Sequence, residues 1–448
     1  MKYLETRLSS LCTVRVTGQV HRLLGAVAES RGLFAPIGGQ CEIHGRGGQR
    51  LPAEVVGFRG EHALVAPFGD TRGLAAGDSI EYRGEMARVR VSTALIGRVI
   101  DANGQPIDSV GQPLPRGVDV PLHRTAGNPL RRLPVDRVLP TGIRAIDALC
   151  TVGRGQRLGI FAGSGVGKSV LLGMLARNTE AELVVLGLIG ERSREVREFV
   201  EGELGAGGLR RTVVVVATAE EPALKRLKAA LVATAIAEYF RDRGRHVLLL
   251  LDSVSRVALA QRELGLAMGE PPATRGYPPS VFEFLPRLLE RAGPGTRGSI
   301  TAFFSALVEV DDRSDPVIDC VRAALDGHLW LSRDLAEHGH FPAIDPLASL
   351  SRVQPSLVDS RRLEAAREVR AALARHQDAA ELIRLGAYVR GGDPRTDRAV
   401  DTKPAIDRFL RQERDEVAAF DETLSALDGL RAQLEDERSE PTPTGGGP

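Results

Sequence analysis

The octapeptide Ala162-Gly163-Ser164-Gly165-Val166-Gly167-Lys168-Ser169 follows directly on the apolar run Leu158-Gly159-Ile160-Phe161. Its spacing is that of a phosphate-binding loop between a strand and a helix, with Ala in place of the first Gly. Glycines let successive backbone N–H groups converge on phosphate oxygens, and the helix that follows points its positive end at the same anion. Gly163, Ser164, Gly165, Val166, Gly167, Lys168, Ser169 and Val170 are therefore the expected nucleotide-binding residues. Lys168 is suited to the β- and γ-phosphates, and the Ser169 hydroxyl to Mg²⁺. Positive charge in this chain is otherwise nearly all Arg, with Lys only at 2, 168, 225, 228 and 403. A compact ammonium fits such a loop where a planar guanidinium does not.

Hydrolysis also needs an activated water, and two acids stand where they could help. Glu191 ends the apolar run 183–188 through Ile189-Gly190, at the point where a carboxylate near a γ-phosphate can polarise a water. By its own sequence context it could equally be a solvated acid in a helical first turn, with Glu195 and Glu198 close by. Asp252 ends the run Val247-Leu248-Leu249-Leu250-Leu251, the Walker B arrangement in which an acid holds a Mg²⁺-bound water. Arg256, one helical turn on, reads as a local ion-pair partner.

Elements of two kinds must hold these groups. From about 141 to 355, near-continuous apolar runs at 158–161, 183–188, 213–217, 247–251, 299–304 and 329–331 alternate with helical stretches. Such runs suit strands buried on both faces, which predicts an α/β fold with a mostly parallel sheet. A long amphipathic helix is expected at 221–241. Before it, short alternating runs broken by glycines (14–16, 53–58, 63–65, 87–91) predict a small β-barrel. Between them, residues 97–108 read as a strand and tight turn opening the next domain, followed by a Pro-rich crossing at 113–140. After about 355, two helical stretches, 360–388 and 403–434, flank Gly391-Gly392-Asp393-Pro394. The expected domains are residues 1–95, 96–355 and 356–438, with a disordered tail at 439–448.

At 448 residues the chain exceeds one ordinary core. A net charge of +1 gives no global field for nucleic acid, and no basic-aromatic surface pattern favours it. Cys12, Cys41, Cys150 and Cys320 are scattered, without metal spacing, and read as packing thiols. Neither a signal-peptide core nor an apolar run of about 18 residues occurs, so the expected location is cytoplasmic, with any membrane contact peripheral.

Longer motifs carry a resemblance. Residues 151–160 (Thr151-Val152-Gly153-Arg154-Gly155-Gln156-Arg157-Leu158-Gly159-Ile160), Gly190-Glu191-Arg192, Leu325-Asp326-Gly327-His328 and Phe341-Pro342-Ala343-Ile344-Asp345 resemble the ATPases of bacterial flagellar and type III protein export. So do Gly269-Glu270-Pro271-Pro272-Ala273-Thr274-Arg275-Gly276-Tyr277-Pro278-Pro279-Ser280-Val281-Phe282 and Gly386-Ala387-Tyr388-Val389-Arg390-Gly391. The likeness spans nearly the whole chain, and that family is in turn similar to the catalytic subunit of rotary ATP synthases. It implies a RecA-like P-loop core with an N-terminal β-barrel and a C-terminal helical domain, ATP and Mg²⁺ as ligands, and a homohexameric ring. By resemblance Glu191 activates water, Arg192 supports it, Arg352 is the arginine finger given to the neighbouring subunit, and Phe341 stacks on adenine. The 269–279 loop is implied to face the ring's pore, with Arg275 and Tyr277 exposed to a coiled-coil stalk protein. Other implied partners are a negative-regulator (stator-like) protein, the export gate, export substrates and chaperones, at the inner face of the cytoplasmic membrane.

Departures mark where this chain differs. Ser193 and Val310 stand where the family has Gly, and Ser255 and Val257 where Thr and an aromatic are usual, which touches turnover rather than any catalytic group. The segment before the barrel is short, which weakens the implied regulator and lipid contacts. Within the class, the 163–172 loop and Tyr277 lean toward the flagellar form. An injectisome ATPase, a rotary-synthase subunit, a low-turnover ring scaffold and a ring helicase are the alternatives.

Overall fold

A computed structural model describes residues 15–108, 117–125, 127, 130, 132–308 and 315–435. The expectations on the N-terminal segment, on Val310 and on the 439–448 tail lie outside the described residues, as does part of the 113–140 crossing.

Strands β1 (Val16–Leu24), β2 (Val27–Arg31), β3 (Gly39–His44), β4 (Arg50–Arg59), β5 (His62–Pro67) and β6 (Ser79–Met86) close into an antiparallel barrel ordered β1-β2-β5-β4-β3-β6. Alternation along β3 and β4 sends Ile43, Ala53 and Val55 inward, where Val20, Val65 and Ile80 meet them. The run at 87–91 was expected in this barrel. Instead β7 (Arg88–Val91) pairs antiparallel with β9 (Val118–Pro121) outside it. Alternation alone specifies a half-buried strand, not which sheet it joins.

Between β7 and β9 in the chain lies β8 (Val99–Asp101), at one edge of the central sheet. The other strands of that sheet are β10 (Arg157–Ala162), β11 (Leu183–Glu191), β12 (Thr212–Thr218), β13 (His246–Asp252), β14 (Gly293–Pro294), β15 (Ser299–Leu307), β16 (Gly327–Leu331) and β17 (Ile344–Ser351). Their order is β17-β16-β10-β15-β13-β11-β12-β8, with β14 lying on β15. All pairings are parallel except those made by β14 and β17. Odd and even residues divide between two apolar layers. Val185, Val215 and Leu249 pack toward the helix Ala223–Arg241, while Val184, Val214 and Leu248 pack toward the helix Lys168–Asn178. The expected runs are thus strands buried on both faces, and the expected helix at 221–241 starts two residues late, after Pro222.

The C-terminal region departs from two helices. It forms three: Ser360–Arg384, Pro394–Leu410 and Phe420–Glu435. Asp393 caps the second by accepting from the N–H groups of Arg395 and Thr396, and Pro394 sits at its first position, so the Gly-Gly-Asp-Pro break is also a helix start. The next break, at 411–419, has no Gly or Pro and is imposed by tertiary contacts described below.

Candidate functional site

The site forms at the carboxyl edge of the parallel strands, where open α/β sheets bind ligands. At the end of β10 the chain turns through Gly163-Ser164-Gly165-Val166-Gly167 into the helix Lys168–Asn178. Gly165 (φ +79) and Gly167 (φ +89) adopt the left-handed conformation that this turn requires. Val166 is buried and anchors the loop, whereas Ser164, Gly165 and Ser169 are exposed and Val170 is half-buried. No side chain caps the helix N-terminus at Gly167, so its first N–H groups remain available to an anion.

The end of β13 brings Asp252 to the same edge, two strands away, with β15 between. Ser305 of β15 donates its hydroxyl to Asp252 Oδ1 at 2.5 Å. Lys168 Nζ contacts that same oxygen and lies 3.5 Å from Glu191 Oε1. Glu191 arrives by a bulge: the register of β11 against β12 slips between Ile189 and Glu191. Gly190 takes φ +73 there, and a Cβ on it would stand 2.7 Å from Arg256 Cβ, so only Gly fits. Lys168, Glu191 and Asp252 are therefore one cluster.

Glu191 Oε1 is buried and makes no hydrogen bond. Burial pushes its carboxyl up to about 7; the Lys168 ammonium opposes that shift, and the Asp252 and Glu195 carboxylates add to it. A carboxyl that ionises near neutrality beside an ammonium is suited to accept a proton from water. Arg256 makes no ion pair with any described residue, contrary to expectation, and its Nε is buried without a hydrogen-bond partner. Its position one turn beyond Asp252 was the sequence signal for a second cation here. Arg192 lies on the exposed side, 83% accessible, with a guanidinium 3.6 Å from Glu195.

Beyond the phosphate loop a cavity of about 480 Å³ opens, lined by Gly167, Val170, Met174, Phe341, Gln412 and Glu416 among others. Phe341 is 44% exposed, with its ring edge against Gly167. Sequence reading missed the far wall, residues 411–416. Gln412 fixes it by donating from Nε2 to the Gly142 carbonyl at 2.7 Å and from its backbone N–H to the Phe341 carbonyl at 2.9 Å. No motif announces that strap.

Arg352 is not in this cluster. Its backbone N–H bonds the Asp326 carbonyl, and the Asp326 N–H bonds the Arg157 carbonyl, both at 2.9 Å. That is the amino edge of the sheet, and the six residues of β10 separate it from the phosphate loop. At about 3.3 Å per residue this is about 17–20 Å, more than an arginine side chain spans. In the 269–279 loop Arg275 is exposed as expected, but Tyr277 is half-buried. Its ring meets Phe282 edge-on at 6.3 Å, under the Arg262 guanidinium.

Mg²⁺ fits this donor set. An orphaned carboxylate oxygen and a second carboxylate held by Ser305 flank the Lys168 ammonium, and Ser169, the next residue, is exposed. Among the described residues no group of three or more His, Cys, Asp or Glu forms a protein-only metal cage.

The family models match in chain order. Residues 20–84 match the β-barrel domain of the ATP synthase alpha/beta family, 142–351 its nucleotide-binding domain, and 358–429 the C-terminal domain of the T3SS EscN ATPase. The chain is 50% identical to a flagellum-specific ATP synthase of Bacillus subtilis over 421 residues, covering 93% of this chain and 96% of that one. It is 49% identical to a type 3 secretion system ATPase of Xanthomonas euvesicatoria, covering 95% and 96%. Among solved structures it is similar to the assembled ATPase EscN of enteropathogenic E. coli. The TM-score is 0.89 at 43% identity, over 93% of this chain and 100% of that one. The phosphate loop, the paired acids and these matches agree: the chain belongs to the ATP synthase alpha/beta family, among its flagellar and type III secretion ATPases.

Proposed function

We propose that this protein hydrolyses ATP with Mg²⁺ at the seam between adjacent copies in a homohexameric ring, and that the cycle energises protein export through a flagellar type III apparatus. The observation that carries the reading is Glu191, a buried carboxylate with an unbonded oxygen and a raised pKa beside the phosphate-loop lysine.

The backbone N–H groups of 163–170 cradle the phosphates, and Lys168 leaves its carboxylate partners for the β- and γ-phosphates. Ser169 and Asp252 would hold the metal, which when bound neutralises charge on the β- and γ-oxygens. Glu191 takes a proton from the attacking water as the water oxygen bonds to the γ-phosphorus. The bond to the β–γ bridging oxygen breaks, and ADP leaves with that electron pair. Arg192 adjoins Glu191 in the chain, and the half-buried Arg256 packs against Gly190, so both stand beside Glu191 to answer the equatorial charge. Phe341 offers a ring face to the base.

Arg352 sits too far from its own phosphate loop to serve it, which supports its role as a finger lent to the next protomer. An assembled relative, and the same relative in complex with its central stalk EscO, support a ring with a stalk partner. The regulator, export gate, substrates, chaperones and an inner-membrane location follow from family resemblance. No described helix is long and apolar enough to cross a membrane. Flagellar and injectisome relatives match almost equally, and the flagellar reading rests on the loop and Tyr277.

The test is Glu191→Gln. It should bind ATP within about twofold of wild type and lose steady-state hydrolysis by at least 10²-fold. Undiminished turnover would remove Glu191 from the chemistry.

A further inference from the structure

The amino edge of the sheet holds a second set of charged groups, which the hydrolytic cluster does not use. Asp326 immediately precedes β16 and is gripped from three sides. Arg157, the first residue of β10, gives it a backbone N–H to Oδ2 at 3.0 Å. The Arg157 guanidinium reaches both carboxylate oxygens, Nε to Oδ2 and Nη2 to Oδ1, each at 3.2 Å. Arg157 is held in turn by Glu290 at 2.5 Å, and its side chain is only 15% exposed. The Asp326 carbonyl accepts the Arg352 N–H and also Nε2 of the buried Gln156, at 3.3 Å. Gln156 Nε2 also bonds Ser351 Oγ at 3.0 Å, and Ser351 Oγ donates to the Thr151 carbonyl at 2.8 Å.

Glycine 327 shows how close the two chains lie. A Cβ on it would stand 2.4 Å from the Leu350 carbonyl and 3.0 Å from Ser351 Cα. Residues 326–327 and 350–352 are thus a fixed pair, cross-braced to β10 by a bidentate ion pair. Arg352 leaves this brace with its backbone pinned and its side chain exposed.

We propose that Asp326, clamped by Arg157, is a positioning residue for the guanidinium that Arg352 presents to the neighbouring protomer; this rests on the reading of Arg352 as a finger in trans. The consequence is mechanical. β10 carries the phosphate loop at its carboxyl end and the brace at its amino end. Each protomer therefore ties the loop it uses to the finger it lends along one strand, and a finger displaced by about 1 Å can cost about 10²-fold in rate.

The experiment is a double-mutant cycle on the full-length assembled protein, read by single-turnover ATP hydrolysis so that slow rates count. Asp326→Asn should slow hydrolysis about 10- to 100-fold, with ATP affinity of dilute subunits unchanged. In the Arg352→Ala background the same substitution should change the rate less than about twofold, because it acts only through the finger. Arg157→Lys, which keeps the charge and loses the fork, is the second variant and should show the same non-additivity at smaller amplitude. Equal losses from Asp326→Asn in both backgrounds, or none in the wild type, would overturn the positioning role. If instead Arg352→Ala alone leaves hydrolysis intact, the finger reading fails, and the cycle shows that failure on its own axis.

Discussion

The two edges of the central sheet handle charge in opposite ways. At the amino edge Asp326 accepts from Arg157 through three N–H groups, and its carbonyl accepts two more. At the carboxyl edge Glu191 Oε1 and Arg256 Nε are buried without hydrogen bonds, and Lys168 is shared between two carboxylates. Buried polar groups are nearly always paired, so a cluster of unpaired ones marks a place completed by something else. At the amino edge Arg154 Nε, Arg157 Nη1 and His246 Nε2 also lack hydrogen-bond partners, but the Asp326 carboxylate is fully gripped and Arg157 Nη1 lies 2.5 Å from Glu290. At the carboxyl edge the unpaired atoms belong to one cluster around Lys168, which in the proposed function a polyphosphate and its cation complete. The same strand, β10, runs between the two edges.

The largest test of that contrast is Arg352→Ala. It should lower turnover of the assembled protein about 10³-fold while leaving ATP binding to dilute subunits unchanged. Wild-type turnover per subunit should rise with protein concentration as the seam forms, and the variant's should not. Steady-state rates across a dilution series check both. A wild-type specific activity independent of concentration would mean that the amino edge lends nothing to a neighbour.

A smaller effect belongs to the open side of the carboxyl edge. Phe341→Ala should weaken ATP about tenfold, roughly 1.4 kcal/mol, by removing one stacking face. Phe341→Tyr should restore it, and turnover at saturating ATP should stay within about twofold. Titration of a fluorescent nucleotide measures this. Unchanged affinity in the Ala variant would place the base elsewhere than in the cavity beside Gly167.

How much of each edge could be read beforehand follows from the range of the forces involved. The phosphate loop, Glu191 and Asp252 are legible because local spacing and strand ends are enough to place them. The runs of β10, β11, β12, β13 and β15 are legible because strands buried on both faces must be apolar throughout. β17 escaped because its burial alternates unevenly through Asp345-Pro346, as an antiparallel strand at the sheet's edge allows. The 411–419 break escaped because Arg411-Gln412-Glu413-Arg414-Asp415-Glu416 consists mostly of good helix formers. The turn exists because Gln412 and the Arg144 guanidinium tie it to a segment some 270 residues away. Sequence adjacency says nothing of such contacts, and the same blindness hid the Arg157–Asp326 brace.

The smallest effect separates the edges without any nucleotide. Burial raises the Glu191 carboxyl from its ordinary 4.5 to about 7. Below about pH 4.5 it is protonated in both folded and unfolded chains and costs nothing. Between about 4.5 and 7 the unfolded chain ionises first, so ionisation draws the protein toward unfolding and stability falls as pH rises. Above 7 the penalty is complete. Glu191→Gln cannot ionise, so its melting point should match wild type near pH 4.5. It should exceed wild type by roughly 2–4 °C at pH 8, with the gap opening across that window. Asp326→Asn should move the other way at pH 8, because it removes the negative charge and one of the two oxygens that accept from Arg157. Scanning calorimetry of the nucleotide-free protein across pH reads both variants. A gap for Glu191→Gln that stays flat with pH would mean that water already satisfies its carboxylate, and the cluster around Lys168 would then need no ligand to complete it.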